Sequence, residues 1–554
     1  MENTFKAHKS KVYFCAIRKE DAYKLGSKEN KQGCRYIDTR GLCDEPLTFT
    51  EAVIKGIAEG GGLFVPEVLP HLSMEEILSL SKMPYHERAA YIYKAFDIDL
   101  DDEAVDALMK QTYGDNFDDE DICPITSLNA QTHILELWHG PTSAFKDMAL
   151  QCLPRFFGAG VAHLKSLGKL DHDFLILVAT SGDTGKAALE GFKDIDGVRI
   201  GVLYPDGGVS DIQRKQMITQ SGGNVMVWGV KGNFDACQTG VKNVFGSKAF
   251  NDALMKEHKV ALSSANSINW GRLLPQIVYY ISAYAQMVKS GNVAAGEPID
   301  VCVPTGNFGN ILAAWYAKQI GVPIERLLCA SNENHVLTDF INTGTYDIAS
   351  REFKLTPSPS MDILVSSNLE RQLFELTGRD ASKINAWMSD LKTKKAFRID
   401  ADTFAKIRQA YAADYVDNDT CLATIKRVFE QTGYLADPHT AVALEVADRL
   451  STDNPVLVVS TAHWAKFGNN VYRALTGLAA NEDLPEAVSG LTGCQLNNVI
   501  ANIASLALDA NDNRIPQAYR VLNVPKNLAN LDTAKARFEN VINADIESIE
   551  QAVR

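Results

Sequence analysis

Residues 139–151 read HGPTSAFKDMALQ, and Lys146 stands there beside an aromatic ring and small hydroxyl residues, just after a strand-like run. An amine so placed can form a Schiff base with a carbonyl compound. Taken alone the segment is weak, because Lys-Asp at a loop-to-helix junction is most often a solvated helix start with Asp near its N-terminus. Its company is more informative. SGDTG at 181–185 and GNFGN at 306–310 each follow an apolar strand candidate directly.

GNFGN has the makings of a phosphate cup. Gly306 and Gly309 let the backbone turn sharply and present successive N–H groups, while Asn310 begins a helical pattern whose dipole favours an anion. The nucleotide alternatives fit less well. There is no G-x-x-x-x-G-K-[ST], the SGDTGKAA segment has the wrong glycine spacing with Ala187 after its lysine, and neither loop carries G-x-G-x-x-G. A reactive lysine joined to a phosphate cup points instead to pyridoxal phosphate.

Such a site needs elements that converge on it. Strand candidates lie at 174–180, 200–205, 225–230, 260–265, 299–306, 327–331 and 455–461, as continuous β-branched runs suited to strands buried on both faces. Stretches long enough for crossover helices separate most of them, at 185–193, 209–221, 234–258 and 270–290, which is the βαβ rhythm of a parallel, helix-covered α/β fold. In that architecture ligands gather at the carboxyl ends of strands. SGDTG, PDGG, SSANS, PTGNFGN and STAH all fall at such ends and are expected on one sheet. Any single glycine there reads simply as a tight turn.

With 554 residues, 46% hydrophobic and 22% charged, the chain has material for two or three packed domains. The net charge of -14 gives no broad attraction for nucleic acid or an anionic membrane. Ten scattered cysteines without a C-x-x-C pair suggest buried thiols in a reducing compartment rather than disulfides or zinc. Without H-E-x-x-H or clustered His/Cys ligands, no metal is expected. No apolar run approaches the roughly 18 residues that span a bilayer, and the first residues resemble neither a signal nor a transit peptide, so the cytoplasm is the expected location. The domains expected are an extension at 1–34, poorly ordered; a helical or mixed N-terminal domain at 35–135; a smaller α/β domain at 136–260; a large α/β domain at 261–480; and a C-terminal helical element at 481–554.

Taken in order, YIDTRG (36–41), GIAEGGGLFVPE (56–67), HGPTSAFKDMALQ, ATSGDTGKAA (179–188), SANSINWGRLLPQ (264–276), VPTGNFGN (303–310), SPSMDILVSSNLERQLFEL (358–376), DPHTAVAL (437–444) and STAHWAKF (460–467) are specific motifs. Across residues 35–467 the chain resembles the threonine synthases, above all their microbial and fungal class, within the fold-type II (tryptophan synthase β-like) pyridoxal-phosphate enzymes. The resemblance implies an α/β fold of parallel sheets with helical additions at both ends. It makes Lys146 the lysine that carries the cofactor and shuttles protons. Gly306, Asn307, Phe308 and Asn310 would hold the cofactor phosphate, and Thr461 would hydrogen-bond the pyridine nitrogen, leaving it largely unprotonated. Ser181, Gly182, Asp183 and Thr184 would meet the amino-acid end of the substrate, with Asn269 and Arg272 helping to bind its phosphate.

The implied reaction takes O-phospho-L-homoserine and water to L-threonine and phosphate, in a monomer or homodimer. A threonine-synthase-like phospho-lyase, releasing 2-oxobutyrate and ammonia, would use identical cofactor residues. A catalytically silent binding paralogue is a third reading, opposed by the retention of Lys146, GNFGN and Thr461. Several residues carry plainer alternatives. His139 caps or supports the lysine loop, His463 is either structural or near the cofactor, Arg272 pairs with an acidic neighbour or with phosphate, and Asp183 caps a helix or meets substrate. Trp464 departs from the family's pattern close to Thr461, which places it at the expected cofactor wall.

Overall fold

The computed structural model describes residues 33–450 and 452–554; the extension read over 1–34 therefore lies, apart from its last two residues, outside the described residues. Two sheets organise the chain. A five-stranded sheet has the order Val541–Asn543, Val225–Lys231, Val198–Pro205, Asp173–Ala179, Val260–Ser263, every neighbouring pair being parallel. A six-stranded sheet has the order Tyr411–Tyr415, Ile324–Ser331, Ile299–Pro304, Val456–Ser460, Thr132–Glu136, Ile125–Ser127. Its first five strands are parallel and the last is antiparallel.

The strand candidates all form strands, but the expectation of one sheet is corrected. Asp173–Ala179 takes Val198–Pro205 and Val260–Ser263 as neighbours, whereas Ile299–Pro304 takes Ile324–Ser331 and Val456–Ser460. Open twisted sheets seldom exceed about ten strands. The division follows the helix Trp270–Lys289, which leaves the smaller sheet and is buried at every position from Trp270 to Met287. An amphipathic surface helix would show one polar face; this one shows none, because it packs on Lys146–Leu150, Gly309–Ile320 and the N-terminal helices Met74–Leu80 and Tyr85–Ala95.

Both sheets send polar ends toward one region. SGDTG and SSANS leave the five-stranded sheet, while PTGNFGN and STAH leave the six-stranded one. The strand Thr132–Glu136, read in the sequence only as a strand-like run ahead of His139 and given no range there, feeds the lysine loop.

Residues 481–554, read as helical, contain the helices Gly493–Asp509 and Ile546–Val553 but also the strand Val541–Asn543. That strand covers the open edge of Val225–Lys231, whose N–H and C=O groups would otherwise lack partners. Three residues pairing with a segment some three hundred positions upstream leave no local pattern to read. Among the described residues no helix is long and apolar enough to cross a membrane.

Candidate active site

Lys146 opens the helix Lys146–Leu150. The loop before it runs beside the residues that follow Val456–Ser460: the Leu137 N–H donates to the Ser460 carbonyl at 3.0 Å, the Phe145 N–H to the Thr461 carbonyl at 2.7 Å, and the His463 N–H to the Ser143 carbonyl at 3.2 Å. Within this loop Ser143 is held at φ 58°, a left-handed conformation that a non-glycine residue seldom adopts without outside support. Lys146 and Thr461 are thus tied through the backbone, by a bond that uses the Thr461 carbonyl and not its hydroxyl.

Asp183 arrives from the other sheet. It begins the helix Asp183–Phe192, after Gly182 at φ 136°, and the Thr180 hydroxyl tightens the turn by accepting from the N–H groups of Gly182 at 3.0 Å and Gly185 at 2.8 Å. Ser181 and Thr184 lie half-buried on the same turn, while Asp183 is the member that reaches Lys146. Asp183 Oδ2 lies 3.8 Å from Lys146 Nζ. The Ser360 hydroxyl joins them, accepting from Lys146 Nζ at 3.2 Å and donating to Asp183 Oδ2 at 3.3 Å. Behind Ser360, its N–H donates to His439 Nε2 at 3.1 Å, so the Nδ1–H of His439 donates to Asp437, 2.7 Å away.

The other oxygen of Asp183 is equally occupied. Lys466 Nζ sits 2.7 Å from Oδ1, and the Gln213 amide donates to it at 2.9 Å. Gln213 also completes the capping box of helix Asp211–Ile218 with Ser210, so one side chain both caps a helix and orients the carboxylate. Burial alone would raise the Asp183 carboxyl, but the ammonium groups of Lys466 and Lys146 hold it well below the usual carboxylate range. Burial lowers the Lys146 amine to about 8; Asp183 opposes this, and Lys466 and Arg272 reinforce it.

At the GNFGN loop, Phe308 adopts φ 63° immediately before the helix Gly309–Ile320, turning the chain so that the helix N-terminus is reached abruptly. A side chain on Gly306 would crowd the Ser360 carbonyl at 2.9 Å, so the loop and the Ser360 segment approach more closely than a Cβ permits. The Asn307 side chain accepts from Ser367 at 3.0 Å, and Asn310 accepts from both Tyr279 and Tyr280 at 2.5 Å. The Asn310 amide nitrogen is buried without a partner.

Arg272 is buried, donates to the Ala265 carbonyl at 2.9 Å, and leaves its Nε without a partner. Burial brings it down to about 10. No acidic partner stands beside it among the described residues, so the ion-pair alternative for Arg272 is set aside. Asn269 does something else than the phosphate binding expected of it. Its Oδ1 caps the helix Trp270–Lys289 through the Gly271 N–H, and its Nδ2 donates to the Val53 carbonyl at 2.8 Å, so both polar ends are committed to structure.

His139 is held between Asp118 at 2.6 Å and Glu136 at 2.9 Å, a supporting position; burial would lower it, but the two carboxylates raise it. His463 caps the turn Trp464–Phe467, and burial pushes it down to about 3. Trp464 donates to the Val521 carbonyl at 2.9 Å, which turns it toward the C-terminal segment rather than a cofactor wall. A cavity of about 830 Å³ opens behind the lysine loop, lined by Trp138, His139, Pro141, Arg520 and Asn527, with Lys146 not among its walls. Ser360, Lys466, Gln213 and Asn527 were missed in the sequence. For Lys466 a signal existed: a lone charge in an otherwise apolar WAKF run.

Comparison with known proteins bears on this geometry. Family models described as threonine synthase N terminus, pyridoxal-phosphate dependent enzyme, and threonine synthase C-terminal match residues 35–113, 126–462 and 440–501. Threonine synthase from Pseudomonas aeruginosa is 38% identical over 448 residues, covering 80% of this chain and 91% of its own. Human Threonine synthase-like 1 is 43% identical over 463 residues, 81% of this chain, and the chain spans only 61% of the length of that relative. Among solved structures, pyridoxal-phosphate-bound threonine synthase from Brucella melitensis superposes with a TM-score of 0.78 at 34% identity, covering 94% of this chain and 98% of that one. Yeast threonine synthase gives 0.79 at 32%, with the same coverage.

Proposed function

Because the chain belongs to the threonine synthase family of pyridoxal-phosphate-dependent enzymes, we propose that it converts O-phospho-L-homoserine and water to L-threonine and phosphate. The observation that carries the reading is Arg272, a buried guanidinium near Lys146 with an unpartnered Nε and no acidic neighbour among the described residues. A buried cation left uncompensated is costly unless an anion completes it, and a planar fork suits phosphate oxygens.

The residues present fit pyridoxal phosphate. The orphaned Asn310 amide, the abrupt helix start after Phe308 and the side-chain-free approach at Gly306 support Gly306, Asn307, Phe308 and Asn310 as the holders of its phosphate. Lys146 would hold its carbonyl end and Thr461 its ring nitrogen. When bound there, the cofactor supplies an electron sink that acidifies the Cα–H and Cβ–H bonds of the substrate.

Lys146, lowered to about 8, has a substantial neutral fraction near neutral pH and takes those protons. Ser360 and Asp183 orient the amine. The Cγ–O bond then breaks and phosphate departs toward Arg272. The two protons taken from Cα and Cβ are matched by those returned at Cγ and Cα. The oxygen of water bonds to Cβ with one of its hydrogens, and its other proton balances the one the departing phosphate takes up. Ser181, Gly182 and Thr184, on the turn that carries Asp183, would meet the amino-acid end of the substrate. Burial of the cluster excludes bulk water, which limits premature hydrolysis to an oxoacid.

A relative named Threonine synthase-like 1, beside relatives named threonine synthase, leaves the product open; a phospho-lyase, with the same residues and a different fate after phosphate loss, is the second reading. The test incubates holoenzyme with O-phospho-L-homoserine and quantifies phosphate, threonine and 2-oxobutyrate together, with Lys146→Ala as control. Threonine equal to phosphate supports the synthase, phosphate with 2-oxobutyrate the lyase, and no phosphate at all overturns both.

A further inference from the structure

Lys466 is a fully buried lysine to which the proposed reaction assigns no part. Its ammonium bonds Asp183 Oδ1 at 2.7 Å and the Thr142 carbonyl at 2.9 Å. Thr142 belongs to the lysine loop, four residues before Lys146, and Asp183 belongs to the opposite sheet; Lys466 itself follows the strand Val456–Ser460 and Thr461. One side chain therefore connects all three segments that build the site. Its backbone takes part as well: the Lys466 carbonyl accepts from the Ser210 hydroxyl at 3.4 Å, and Ser210 caps the helix whose Gln213 is the second donor to Asp183 Oδ1.

We propose that Lys466 is a positioning residue for the reaction: it fixes one oxygen of Asp183 and the carbonyl of Thr142, so that the other oxygen of Asp183 faces the Lys146 amine and Ser360. The arrangement is asymmetric. Lys466 is at ion-pair and hydrogen-bond distance from Asp183, whereas Lys146 stands at 3.8 Å and meets the carboxylate through Ser360. The charge of Asp183 is thus spent on Lys466, and Lys146 is held near a carboxylate without being captured by it. Were Lys466 absent, Asp183 would be free to close on Lys146 as a direct ion pair and keep it protonated. The groups facing Lys146 are Asp183, Lys466, Arg272 and Asp147, and Lys466 also lies near Asp147 and His463. The inference rests on the reading of Lys146 as the reacting amine and not on which product forms.

The test uses full-length holoenzyme and needs no phosphorylated substrate, so it stands apart from the synthase assay. Lys466→Gln keeps a donor and removes the charge; Lys466→Arg keeps the charge. The first readout is the pH titration of the cofactor's visible absorption without substrate. The second is exchange of the Cα proton of a bound amino acid in deuterated water, followed by proton NMR across pH. In Lys466→Gln the titration midpoint and the acid limb of exchange move up by about one pH unit, and exchange slows about 10- to 100-fold, as a misplaced base would. Lys466→Arg restores both in large part. In an Asp183→Asn background, Lys466→Gln adds clearly less, what remains being the direct effect of the Lys466 charge on Lys146, because the larger part of its action passes through that carboxylate. This double-variant comparison also decides the matter if Lys466→Gln alone folds poorly, since the pair is then removed together. A midpoint and limb that stay in place, or equal losses in both backgrounds, overturn the proposal even if thermal stability falls.

Discussion

Lys146 and Asp183 meet at 3.8 Å although they follow strands of different sheets, Lys146 coming after Thr132–Glu136 and Asp183 after Asp173–Ala179. The pairing of these two residues is therefore a product of how the two sheets pack. Each residue is placed by the first turn of a short helix, and the Ser360 hydroxyl spans the gap between them.

The sign of the pH dependence follows from that pair. Burial lowers Lys146 to about 8, and the neutral amine is the form that takes a proton. Below that value the amine is protonated and inactive, so kcat rises with pH through a limb near 8. Asp183 is the nearby carboxylate that raises the amine, so Asp183→Asn moves the limb to lower pH while lowering its plateau, because orientation is lost. A kcat profile of wild type and Asp183→Asn checks this; an upward displacement of the limb would contradict the assignment of Asp183.

Gly191 tests the sheet packing. Helix Asp183–Phe192 lies on the Lys146 helix so closely that a Cβ on Gly191 would overlap the Leu150 carbonyl oxygen. Gly→Ala inside a helix ordinarily stabilises by about 1 kcal/mol. Here the overlap is with backbone that cannot rotate away, and overpacking of this kind costs about 1–3 kcal/mol or more. Gly191→Ala is expected to lower Tm and, by moving Asp183 from Lys146, to reduce kcat by about 100-fold. A variant of raised Tm and full activity would show that the two helices do not set the pair's spacing.

The C-terminal segment reaches the lysine loop through Asn527, whose amide donates to the Pro141 carbonyl at 2.6 Å and accepts from the Ser143 hydroxyl at 3.1 Å. Ser143 is the residue held at φ 58°. Asn527→Ala removes both bonds, and loss of two partly buried hydrogen bonds costs about 1–3 kcal/mol. The expected outcome is a lower Tm together with a kcat loss larger than the change in KM, since the loop carries the base and not the substrate-binding groups. Unchanged kcat with lowered Tm would make Asn527 a brace of the fold alone.

What the sequence disclosed was local. The lysine loop, SGDTG and GNFGN are legible because strand, turn and helix start are adjacent in the chain, and the βαβ rhythm announces the α/β class. Two α/β domains were read at 136–260 and 261–480, but which strands share a sheet was not legible, because nothing within the strand at 260–263 or at 299–304 states which neighbours it will choose. Ser360 and Lys466 come to Lys146 from segments 214 and 320 positions downstream, and a serine or lysine carries no mark of such a contact in its own neighbourhood. Asn269 obeys a local rule that the sequence reading did not apply to it: Asn just ahead of a helical run is a common N-cap.

Arg272 sets stability against activity. The guanidinium lies near 10 when folded and at 12.5 as a free side chain, so the unfolded chain binds more protons between those values and stability rises with pH across that window. Below it the full penalty remains, on the order of 3 kcal/mol at neutral pH. Arg272→Met, of similar volume and no charge, recovers part of this and is expected to keep or raise Tm. On the proposed role of Arg272 the same change removes charge-assisted bonds to the substrate phosphate, each worth about 1.5–3 kcal/mol, and the expected outcome is a fall in kcat/KM for O-phospho-L-homoserine of about 100-fold or more. Thermal scans with and without inorganic phosphate separate the two effects: wild type gains Tm as phosphate is added, and the variant starts at or above the wild-type value and gains nothing. A variant that loses several degrees and still responds to phosphate would mean that the anion is held elsewhere and that Arg272 is buried for packing.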